Sequence, residues 1–73
     1  MNYALLENVQ ALLDQQKIPN ILESRAQFLA QACSLNVESV LSFLQGESPL
    51  PSGEVRKIAD KFAVDLAWLV GRY

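Results

Sequence analysis

The side chains that most often run acid–base and metal chemistry are scarce in this chain, which has no histidine and a single cysteine, Cys33. A catalytic thiol needs a base or a nearby cation to hold it as thiolate. The sequence around Cys33 offers neither. The eight Asp and Glu residues are dispersed, with no group at metal-ligand spacing and no glycine-rich loop to cradle phosphate. These features point away from an enzyme, and no metal, cofactor or small-molecule ligand is expected. A lone cysteine allows no internal disulfide, which suits a reducing, cytoplasmic setting. What remains is a set of polar side chains with no catalytic grouping among them.

Helices must display those residues. The 73 residues are 51% hydrophobic and 19% charged, which reads as one globular domain over residues 1–73. A chain this short buries only about 60% of the surface its unfolded form exposes, so its apolar side chains have to be placed economically. Leu5, Leu6, Val9, Leu12 and Leu13 recur with helical period and predict a first helix from about Tyr3 to Gln16, stopped by Pro19. A connection carrying Ile21 and Leu22 completes the stretch 1–23. Ser24-Arg25-Ala26-Gln27 has the Ser-x-x-Gln form of a capping box and predicts the start of a second helix, with Leu29, Ala32 and Cys33 on one face.

After the turn Cys33-Ser34-Leu35, Asn36 is positioned to cap a third helix, Val37 to Gln45, which Gly46 ends. The stretch 24–46 is thus helix, tight turn, helix. Within 47–73, Ser52 is the expected cap of a fourth helix carrying Val55, Ile58, Ala59 and Phe62. Asp65 is expected to cap a short fifth helix, Leu66 to Val70, closed by Gly71. Val9, Leu13, Leu29, Val40, Phe43, Ile58, Phe62 and Trp68 read as core, and Cys33 as a small buried hydrophobe. The longest strongly apolar run, Leu66 to Val70, is far short of the roughly 20 residues of a membrane span. Met1-Asn2-Tyr3 lacks the basic start of a signal peptide, so no membrane partner is expected.

Leu29-Ala30 in the second helix, Ser34 in the turn, Asn36, Gly46, Ile58-Ala59 and Trp68-Leu69 together carry a family likeness. The stretch from Phe28 to Gly71 resembles the phage-repressor, Cro-like helix-turn-helix domain, also called the XRE family. The intervals from Gly46 to Ile58 and from Gly46 to Trp68 agree with the family's spacing. Two departures are local: Ser34 stands where the family usually has glycine, and the connection Ile18 to Glu23 is longer than usual.

The resemblance implies an all-α, five-helix lambda-repressor-like fold with the helix-turn-helix at helices two and three. It further implies a small transcription regulator of phage or prophage type, binding double-stranded DNA as a homodimer with the third helix in the major groove. The family's base-reading positions, the first two and the sixth of that helix, fall on Val37, Glu38 and Ser42. Arg25 and Gln27 at the start of the second helix, together with Asn36, Ser39 and Gln45, would supply phosphate or polar base contacts.

The charges favour a second reading. Six Lys and Arg stand against eight Asp and Glu, for a net charge of −2, and no Lys or Arg occurs from Ala26 to Gly53. Glu38 and Glu47 lie inside that interval, and none of the three base-reading positions carries Arg, Lys, Asn or Gln. On a helical wheel Val37, Val40, Leu41, Phe43 and Leu44 form a continuous apolar arc of about 160°. Val40 and Phe43 suffice for an internal core, leaving Val37, Leu41 and Leu44 to cover a protein surface or to pack on neighbouring loops. The alternative is therefore a protein-interaction module of the same fold, antirepressor-like or DNA-mimicking, that binds another repressor or regulatory protein. Trp68 and Tyr73 of the last segment are further candidates for such an interface or for a dimer contact.

Overall fold

A computed structural model describes residues 2–72, and among them it is all-helical, with no strand. The elements are α1 (Tyr3–Gln15), α2 (Leu22–Cys33), α3 (Val37–Leu44), α4 (Ser52–Phe62) and α5 (Leu66–Leu69). Side-chain caps open three of them. The Asn2 Oδ1 accepts from the Leu5 N–H, Asn36 accepts from Glu38 and Ser39, and Asp65 accepts from Ala67. Each satisfies backbone donors that a helix start leaves orphaned.

Two expected caps are absent. α2 begins at Leu22, two residues before Ser24, and its cap position, Ile21, makes no side-chain bond. The chain reaches this start through a tight turn in which the Ile21 N–H donates to the Pro19 carbonyl. Leu22 then packs on the core while Ser24 stays exposed in the first turn, so tertiary anchoring sets the helix start where a capping box was expected. Ser52 likewise is the first residue of α4 and not its cap, because Pro51 takes the cap position with extended backbone geometry. Pro51 has no N–H and a fixed φ, both compatible with a helix start.

Helix ends follow one pattern. The residue that closes each helix is left-handed: Lys17, Ser34, Gly46, Ala63 and Gly71 all have φ between 55° and 79°. At each, the following N–H reaches back to a carbonyl in the last helical turn, as in Ile18 to Leu13 and Leu35 to Ala30. Ser34 shows that the turn between α2 and α3 keeps the left-handed geometry without glycine. Gly71 has the stronger requirement, since a Cβ there would lie 2.5 Å from the Ala4 Cβ.

The core gathers Val9, Leu13, Leu29, Val40, Phe43, Ile58 and Leu69, all fully buried. Phe62 and Trp68, expected inside, are only partly buried against it, and Cys33 is buried as expected. α2 packs chiefly on α3 and also on α4, and its small Ala26 and Ala30 are buried. α5 is held by α1 and α4. Two asparagines, the α1 cap Asn2 and Asn8 within the helix, secure it: Asn2 donates to the Val70 carbonyl, and Asn8 donates to the Trp68 and Leu69 carbonyls at 2.9 and 3.2 Å. They satisfy the Leu69 and Val70 carbonyls and add a second donor to that of Trp68, which also accepts from the Gly71 N–H.

Candidate functional site

The α2–α3 unit divides α3 lengthwise. Its C-terminal half is anchored by buried Val40, Phe43 and Leu44, whereas Asn36, Val37, Glu38 and Ser39 at its N-terminal end are all exposed. Asn36, Glu38, Ser39 and Ser42 meet Ser48 and Pro49 around a polar depression of about 360 Å³. The fold thus brings together four of the residues singled out from sequence. Gln27 on α2 and Gln45 at the end of α3 are exposed but lie outside this depression. Ser48 was not anticipated; its signal is the Ser48-Pro49 pair directly after the helix-ending Gly46 and Glu47.

Asn36 is committed through its side-chain oxygen to the two cap bonds, at 2.9 and 3.1 Å. Only its amide NH₂ is left to face outward. Ser42 is half-buried, and Glu38 places a carboxylate at the exposed start of the helix, where the helix dipole favours negative charge.

Arg25 is a correction. Expected at the protein surface as a phosphate contact, it is 4% exposed and its guanidinium is turned inward. Its Nε donates to the Pro19 carbonyl, its Nη1 to the Gln10 carbonyl and the Gln10 Oε1, and its Nη2 to the Ile18 carbonyl and the Asp14 carboxylate. Five acceptors meet the five N–H groups of the side chain. The physical reason is the end of α1: the chain leaves the helix at Lys17 and exposes the carbonyls of Ile18 and Pro19, which need donors. Arg25 supplies them from the first turns of α2, and no donor is left for a phosphate.

The apolar arc on α3 also divides differently from expectation. Leu44 is 7% exposed and belongs to the core, so it is withdrawn from the candidate interface. Leu41 is half-buried against the core, and Trp68 is likewise. Val37 alone of the arc is exposed, at 43%. Tyr73 lies outside the described residues. The loop after α3 supplies the reason for the inward turn, because Leu50 on it is itself buried in the same core.

Burial pushes the Cys33 thiol up from its ordinary pKa, outweighing the opposite pull of the Lys61 charge. A thiol so placed is poorly suited to act as a nucleophile. Among the described residues no group of acidic, cysteine or histidine side chains is arranged to hold a metal ion, and no helix is long and apolar enough to cross a membrane. Comparison of the chain with family models, curated proteins and solved structures gave no match.

Proposed function

We propose that the protein is a small helix-turn-helix regulator with a lambda-repressor-like fold, binding duplex DNA as a dimer through the start of α3. The observation that carries this reading is the exposed N-terminal turn of α3, held by the Asn36 cap while the rest of the helix is rooted in the core. That is the arrangement by which a recognition helix presents its first residues to base edges. The left-handed Ser34 turn and the spacing from Leu29 to Gly46 support it. With Arg25 occupied, phosphate contacts fall to backbone amides, to Gln27, Ser39 and Ser42, and to cations outside the motif.

The test is titration of a fluorescent pool of genomic duplex fragments with the purified protein at two salt concentrations. A dimer making about four cation–phosphate contacts loses roughly a hundredfold in affinity between about 50 and 200 mM salt. Ser42→Glu, on the half-buried wall of the depression, should abolish binding with the helical signal retained. No binding by folded protein at the lower salt overturns the reading.

A second reading is favoured by a specific observation: the inward Arg25 leaves the α2–α3 face without a cation, while Glu38 and Val37 are both exposed on it. On that reading the same surface binds another regulatory protein, antirepressor-like or in imitation of DNA. Val37→Asp then abolishes partner binding without changing the fold, whereas under the first reading it acts only on affinity for DNA.

A further inference from the structure

A second surface, lined by none of the binding candidates singled out from sequence, lies where the start of α1, the start of α4 and α5 meet. Here an open trough of about 550 Å³ is floored by apolar side chains, among them Leu50, Val55, Leu66 and Val70, and flanked by Arg56 and Arg72. No Asp or Glu lines it. Both arginines are exposed, and neither makes an ion pair among the described residues. On a chain of net charge −2 this is a local concentration of unpaired positive charge beside apolar surface.

We propose that this trough is a docking site for an acidic, apolar segment of a partner protein, in which leucine-like side chains fill the floor and carboxylates meet Arg56 and Arg72. Charge complementarity selects the occupant. A basic segment would be repelled by both arginines, and a DNA backbone would gain nothing from Leu66 or Val70. The trough is open to solvent, which suits a length of peptide better than an enclosed small molecule. Ser52 and Gly53, at the start of α4, also line it, a helix end whose dipole is already partly met by Glu54 in the same turn. The surface borders the α3 depression at Pro49, which lines both. The inference does not depend on whether α3 binds DNA.

The experiment uses the full chain, isotopically labelled, titrated with three probes: a helical peptide alternating Leu pairs with Glu, the same peptide with Lys for Glu, and a short random duplex. The expected result is saturable chemical-shift change confined to Leu50, Val55, Leu66 and Val70 with the acidic peptide, and none there with the other two. The side chains of Arg56 and Arg72 make no hydrogen bond or ion pair among the described residues, so Arg56→Glu with Arg72→Glu should fold normally, checked by circular dichroism. That variant should bind the acidic peptide about fivefold to tenfold more weakly, as two exposed ion pairs allow, and should gain affinity for the Lys peptide. Equal response to both peptides, or shifts mapping elsewhere, overturns the proposal. So does a response of the trough to duplex DNA alone, or a shift there with protein concentration and no probe, which would assign it to phosphate or to a second copy.

Discussion

Replacing Arg25 separates a structural role from a binding role with measurable size. Its guanidinium is buried and makes five hydrogen bonds, three of them to backbone carbonyls of Gln10, Ile18 and Pro19. Deleting it removes a donor from each of these carbonyls, and each part-buried acceptor left without its donor costs about 1–3 kcal/mol. A chain of this length has roughly 4–11 kcal/mol of stability in total, so Arg25→Ala should remove a large share of it. Arg25→Lys keeps the charge but offers three donors to five acceptors, and should cost about 2 kcal/mol.

Asp14 makes the ion pair, yet its side chain is 68% exposed. Solvent screening limits that pair to less than about 1 kcal/mol, so Asp14→Asn should be mild. Urea unfolding followed by circular dichroism gives all three values. An unchanged midpoint for Arg25→Ala would refute the reasoning. So would an Asp14→Asn loss as large as that of Arg25→Ala, since it would place the energy in the ion pair instead of the carbonyl bonds.

Two glycine exchanges should act in opposite directions. Ala63→Gly relieves a left-handed residue that costs about 1–2 kcal/mol, against a glycine entropy cost of about 0.5–1, and should raise the thermal midpoint by a few degrees. Gly71→Ala should lower it by the equivalent of more than about 1 kcal/mol, because the φ of +79° and the Ala4 side chain both oppose a Cβ; a rise would refute the close approach of α5 to α1. On α3, Leu44→Ala should cost about 2–5 kcal/mol by opening a cavity, while Val37→Ser should cost less than about 1. Similar losses at both positions in urea unfolding would show that the apolar arc is not divided between core and surface.

Much of the architecture was legible because its signals are local. The periodic leucines of α1, the Asn36 and Asp65 caps and the glycines at 46 and 71 act within a turn or two of themselves, and each stands where the residue pattern placed it. The start of α2 was not legible, since Ser24 offered a good local cap that lost to the burial of Leu22 and the anchoring of Arg25. The candidate site was legible in part: Asn36, Glu38, Ser39 and Ser42 do share one depression, while Ser48 joined them only through the fold of the loop.

By itself, then, the sequence determined that the chain is helical, where the turns after α3 and α5 fall, and that it carries no histidine. Tertiary structure alone decided which way Arg25 and Leu44 face. Arg25 answers to carbonyls spread from Gln10 to Pro19, and Leu44 to a core closed by a loop residue, Leu50. Burial depends on what other segments bring to the same place, and no pattern within one helix encodes that.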